Sequence, residues 1–499
     1  MKTPVCLTAH CRHTVFTLAL AALLAGHTAQ AATTNWTGGA GVGNTDVATA
    51  ANWTSSTLPP SNNTWGFFAA GTSGTTLTNT LTSSAFNVQG ITFATSAYTL
   101  SGNTFTLTGD ISNTTAAVTQ TLNMDIIMGL SSHAFSSTWS TGSLVIKGVL
   151  SGAFNAVFAG LGTITLNGSV SNSYGAGTGY VTAVTGGSTL ILDFANMSTP
   201  TDLIKNGSTL QLGTGTTGGG SFLTVKGKST GATSQTLGAV ALNNYANTIV
   251  LNSNGGTSTT LNLGVITRLT GNSSINLDLS SANTAVNSTT AAGTLGYATL
   301  KDASGTGFAR ASGTALSRLG GQTTLPVGAT TGTIDYLSSG TVTKTAGAFS
   351  VNTLTLDGSG GVGALNLGGS TMTVTQKGIL TTGANAYTLS NGQVGAFNTE
   401  LLIHTMGTGG VTLSALIGTV SQPLIKNGPD TLTLSATNTY TGGTIINGGT
   451  LKAGSTQAFG VGSAVTLSNN AGAVLDITGF DTTVASLISS GPSSITLGA

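Results

Sequence analysis

The chain has 499 residues, among them 73 glycines, two cysteines, 14 basic and 13 acidic residues, and only 5% of its side chains are charged. A near-neutral chain without Lys/Arg clusters excludes nucleic acid as a partner, because phosphates are bound through gathered cations that displace counterions. Ordinary soluble domains carry about 25% charge, whereas here Glu400 is the only glutamate. The composition therefore points to β-structure faced with Thr, Ser and Asn, since β-branched Thr suits a pleated surface while Glu and Lys favour helices. An apolar fraction of 39%, regularly spaced, separates the chain from low-complexity disorder.

Residues 1–31 read as a secretory signal. Lys2 and Arg12 supply the positive segment, VFTLALAALL at 15–24 the apolar one, and Ala29 and Ala31 the small residues before a cleavage ahead of Ala32. About ten apolar residues fall short of the roughly 20 a membrane-spanning helix needs. Cleavage removes both cysteines, Cys6 and Cys11, and leaves 12 basic against 13 acidic residues, a net charge of −1. Export by a Sec-type route to the cell surface or exterior is expected. Stability must then come from burial and backbone hydrogen bonds, without disulfides.

Residues 32–140 are expected to form an N-terminal cap and first coils. Trp36, Trp53 and Trp65 fall there beside Pro59-Pro60 and Phe67-Phe68, and bulky aromatics suit the closing of a stack's open edge. The rival reading is an aromatic platform for sugars.

From there to the end, apolar residues alternate with Thr or Ser in short runs: TFTLT at 104–108, TITL at 163–166, STLQL at 208–212, TLTL at 353–356, TMTV at 371–374, TLTL at 431–434 and SITL at 494–497. Period two means one face buried and one wet. Asn-Gly pairs at 167, 206, 391, 427 and 447 mark turns. The signature LIKNG at 203–207 returns at 424–428, and LNLG at 261–264 returns at 365–368. Unevenly spaced copies predict an all-β solenoid of stacked coils, with degenerate repeats over 141–420 and a clearer repeat region over 421–499. At roughly 20 to 25 residues per coil and ~4.8 Å per stacked strand, about 20 coils would form a rod on the order of 100 Å.

Residues 424–451, LIKNGPDTLTLSATNTYTGGTIINGGTL, closely resemble the autotransporter-associated β-strand repeat of bacterial passenger regions. The matching positions are Lys426, Gly428, Thr431, Leu432, Leu434, Asn438, Tyr440, Gly442, Gly443, Thr444, Asn447, Gly449 and Leu451; Asp430 and Ala436 stand where glycine is more usual. The segments TTLNLGVITR at 259–268 and ELLIH at 400–404 also resemble recurring parts of large surface proteins with this repeat. The resemblance implies a right-handed parallel β-helix, export, and an adhesin-like role toward an unidentified surface, matrix or glycan ligand. It implies no catalytic residue and no cofactor. Such proteins typically end in a membrane-spanning barrel, and no strand here has the barrel's length and aromatic girdles. Either a truncated frame or a protein released without its own barrel is expected, with no stable membrane insertion by the chain as given.

Catalytic and metal constellations are sparse. GKSTG at 227–231 lacks the context of a phosphate loop or nucleophile elbow and reads as a polar turn. Outside the signal, only His133 and His404 remain; His133 reads as a loop residue, His404 as a strand residue at a coil edge. In an extended strand Glu400 and His404 lie about 13 Å apart, too far to pair. Two alternatives accompany the adhesive reading. One is a β-helix polysaccharide lyase or hydrolase using Asp193 with Asp202 or Asp476 with Asp481. The other is an outer-membrane barrel.

Overall fold

The structure is a computed structural model. It describes residues 33–498 apart from 60–61, 69–73, 82–86, 176–178, 215–218, 346, 397–399, 419–420, 422, 469–471 and 490–491, so the signal and its cleavage site at Ala29, Ala31 and Ala32 lie outside the described residues. The chain is all-β, a solenoid of about 17 coils, close to the roughly 20 expected from 20 to 25 residues per coil.

Each coil is a short circuit of strands. One runs through His133–Ser137, Ser143–Ile146 and Leu150–Gly152 before Ala156–Gly160 returns to lie parallel on the first. Alternation then becomes columns. Ile91, Ile111, Phe135, Phe158, Val184, Leu212 and Leu242 follow one another from coil to coil in strict register, and all are fully buried. Each such side chain contributes about 1.5–3 kcal/mol through burial. The intervening positions face outward, as in the column Thr119, Ser143, Thr163 and Thr189. Coil length varies because the turns absorb insertions: the circuit from Ile91 to its partner Ile111 is much shorter than the one from Leu210 to its partner Val240.

The stacking is interrupted once. A first stack, with sheets of 13 and 15 strands, ends in the antiparallel strands Gly293–Asp302, Gly305–Ala311 and Leu316–Arg318; a second stack, with sheets of 9 and 10 strands, begins at Thr323–Thr324. The second stack has its own inner column of Val342, Leu365, Leu389, Leu413, Leu434 and Ala453. Parallel pairing dominates both stacks, whereas a transmembrane barrel is a closed antiparallel sheet, so the barrel alternative is set aside. Among the described residues no helix is long and apolar enough to cross a membrane.

The N-terminal tryptophans belong to the core of the first stack. Trp36, Trp53 and Trp65 are 2% exposed or less. Trp36 and Trp53 meet edge to face at 5.4 Å, and Trp53 continues to Trp65 at 5.6 Å and Phe67 at 6.0 Å. Rings sunk this deeply cannot serve as a sugar platform.

Candidate functional site

The repeat residues act between coils. Lys426 follows Ile403 and precedes Ile446 in an inner column, so its stem is buried, and its Nζ donates to the carbonyls of Asn427 at 3.3 Å, Gly428 at 2.8 Å and, one coil on, Gly448 at 2.7 Å. Burial pushes this ammonium down to about 7; the three carbonyls favour its charged form. Asn438 ties three coils: its Oδ1 accepts from the Ile417 amide at 2.8 Å, and its Nδ2 donates to the Ala458 carbonyl at 2.7 Å. The Tyr440 hydroxyl meets Thr444 at 2.7 Å, and Thr444 meets Ser463 at 3.0 Å. Asn447 Nδ2 donates to Asn427 Oδ1 at 2.8 Å. Leu432, Leu434 and Leu451 fill the core, while Thr431 is half-buried and its amide bonds Asp430 Oδ1 at 2.7 Å. Gly428 and Gly449 hold positive φ where a Cβ would strike backbone carbonyls at 2.3 and 2.5 Å; Gly442 is buried and Gly443 half-buried at the preceding turn.

The other LIKNG copy is built differently. Residues 203–207 form a bend and turn, and Lys205 Nζ lies 3.6 Å from the Tyr180 ring centre. Five identical residues thus give a strand that staples turns in one coil and a corner in another, because the neighbours differ.

Three of the four candidate acids have partners of their own. Asp193 receives Lys226 Nζ at 3.1 Å, and Asp476 lies beside Lys452 Nζ at 3.6 Å. Stacking places a lysine beside each: Asp193 is in register with Lys226 and Asp476 with Lys452. Asp202 accepts from the Thr236 amide at 2.6 Å, a structural role. Ser229 and Thr230 lie on an exposed turn ended by Gly231 at φ 76°. His133 is a correction to the loop reading: it opens the strand His133–Ser137, is fully buried, and its Nε2 lies 2.7 Å from the Gly129 carbonyl oxygen. Among the described residues no group of three or more His, Cys, Asp or Glu side chains is placed to hold a metal ion.

Charge converges where the two stacks meet. Glu400 is salt-bridged to Arg268 across 132 residues of sequence, and Lys377 Nζ stands 3.6 Å from the same oxygen. Arg268 also donates to the carbonyls of Ser273, at 2.9 Å, and Gly271, and its guanidinium lies 5.0 Å from the Tyr297 ring centre. Behind this triad the outer face of the strand Leu401–Thr405 is sealed by the antiparallel hairpin. His404 Nε2 lies 3.0 Å from the Gly296 carbonyl oxygen and its ring meets Phe308 edge on at 5.9 Å. Burial holds the His404 imidazole down to about 4, hence neutral. Far from a coil edge, it sits inside a contact between stacks. Ser274 donates to Asn427 Oδ1 at 3.2 Å across the same boundary. In front of the triad lies a cleft of about 460 Å³, whose lining includes Thr267, Tyr297 and Gln376 with the three charged residues.

The two segments singled out at 259–268 and 400–404 thus meet through Arg268 and Glu400. The pairing is not legible from spacing, but one signal foreshadows it: Leu401-Leu402-Ile403 breaks the two-residue alternation, and a strand with unbroken apolar residues is buried on both faces.

The passenger-associated-transport-repeat family model matches residues 424–453. Over 68 residues the chain is 56% identical to a curated protein described as the adhesin BmaC autotransporter of Brucella suis biovar 1 (strain 1330); the aligned part is 14% of this chain and 2% of that protein. No solved structure matches. With residues 424–453 seated in parallel coils, the chain is a β-solenoid that carries one segment similar to the passenger-associated-transport repeat.

Proposed function

We propose that the chain is an exported structural or adhesive surface protein, non-catalytic, that holds a surface, matrix or glycan ligand. The observation that carries this reading is the passenger-type repeat at 424–453, beside a 68-residue likeness to a protein described as an adhesin. It is joined by an outer surface of stacked Thr and Ser. The lysines standing beside Asp193 and Asp476 fit the same reading, since a glycosidase needs two carboxyl groups across one bond. Export by the Sec route, with display at or near the outer membrane, belongs to the proposal.

The test is direct. The purified chain beginning at Ala32 is applied to immobilised epithelial cells, extracellular matrix proteins and a glycan array. Saturable binding to at least one is expected. Absence of binding to all three overturns the adhesive part and leaves a structural role.

A further inference from the structure

We infer that the cleft between the two stacks is a binding site for a short acidic saccharide, a sugar ring carrying a carboxylate. Sites for small molecules gather where two units meet and where a few polar groups converge, in volumes of about 300–1,000 Å³. The junction cleft, at about 460 Å³, meets each condition.

The charge balance selects the ligand. Glu400 is neutralised by Arg268, whose guanidinium is pinned by the Ser273 and Gly271 carbonyls. Lys377 is then the spare cation: it stands 3.6 Å from Glu400 with its side chain 31% exposed, on a backbone held at φ 68°. Non-glycine residues take that left-handed conformation at a cost, and such strain clusters at ligand clamps. Two cations against one carboxylate leave the cleft at +1, so an anion is favoured. The rest of the lining suits hydroxyls. Among the described residues, Tyr297 Oη and Glu400 Oε2 have no hydrogen-bond partner, and Thr267 and Gln376 are exposed at the rim. A carboxylate on Lys377, with ring hydroxyls against Glu400, Tyr297, Thr267 and Gln376, uses every one of these groups.

This inference deepens the adhesive reading and rests on it, yet it is tested separately. Digalacturonate is titrated into the exported chain by calorimetry, beside neutral maltose and a diglutamate peptide. Digalacturonate is expected to bind with at least about tenfold preference over both, the worth of one charge-assisted hydrogen bond. Lys377→Met should weaken it by about tenfold on the same basis, and Thr267→Ala, an exposed change, should weaken it measurably with an unchanged melting temperature. Lys301→Met, on the hairpin beside Asp278 and outside the cleft, should leave it unaltered. No binding of digalacturonate, equal binding of the peptide, or full affinity in both cleft variants overturns the site. Adhesion to cells or matrix without digalacturonate binding sinks this inference while the adhesive reading stands.

Discussion

Replacing Glu400 with glutamine should loosen the second stack from the first. The side chains of Glu400 and Arg268 are 7% and 13% exposed, so the pair is largely withdrawn from water. Removing one partner of a buried pair costs about 3–5 kcal/mol, because the survivor is left unmatched. Glutamine keeps the shape and one acceptor, which reduces the expected loss to about 2–4 kcal/mol on that scale. The assay is urea unfolding of Glu400→Gln, Arg268→Met and the double variant. Coupled partners should give a double variant less destabilised than the sum of the singles by more than about 1 kcal/mol. Lys377→Met, at a more exposed position, should cost no more than about 1 kcal/mol. Single losses below about 0.5 kcal/mol that simply add would place the pair among ordinary surface contacts and refute a buried ionic junction.

Other consequences are independent of that pair. His404 is neutral in the fold and ionises near its ordinary value once unfolded, so the unfolded chain binds more protons between about pH 6.5 and 4. Stability should be full above about pH 6.5 and fall by about 3 kcal/mol on the way to pH 4, and His404→Phe should flatten that part of the profile in acid unfolding. Gly296→Ala would drive a methyl to 1.9 Å from the Gln376 carbonyl oxygen; overpacking of that kind costs about 1–3 kcal/mol, read as a lowered melting temperature. Lys426→Met should destabilise by about 2 kcal/mol because the Gly428 and Gly448 carbonyls lose their donor, whereas Lys205→Met, losing a cation–ring contact, should cost about 1 kcal/mol or less.

Much of the solenoid was legible in the sequence because its rule is local. TITL at 163–166 and TLTL at 431–434 bury alternate residues, as period two demands, and the turn glycines Gly207 and Gly428 hold the positive φ that Asn-Gly pairs announce. The burial of the N-terminal tryptophans follows the same logic, since three such rings in a Thr-rich chain need a place out of water. Position in sequence could not reveal the hairpin at 293–311. It breaks the parallel stack with residues as polar and glycine-rich as its surroundings. Nor could it join Arg268 to Glu400, because that contact depends on how two separate stacks lie together. The two LIKNG copies carry the same lesson in reverse: identical residues, different coils.

The junction is the claim on which the candidate site depends, and the absence of cysteine after residue 11 allows a clean test. Ser274 and Asn427 lie 153 residues apart in sequence, with side-chain oxygens 3.2 Å apart. A chain carrying Ser274→Cys and Asn427→Cys should cross-link within the molecule under mild oxidation, since a disulfide requires Cβ atoms about 3.5–4.5 Å apart. Peptide mapping after proteolysis is expected to find the linked pair as the dominant product. Two free thiols, or only intermolecular dimers, would contradict a packed junction and the cleft built on it.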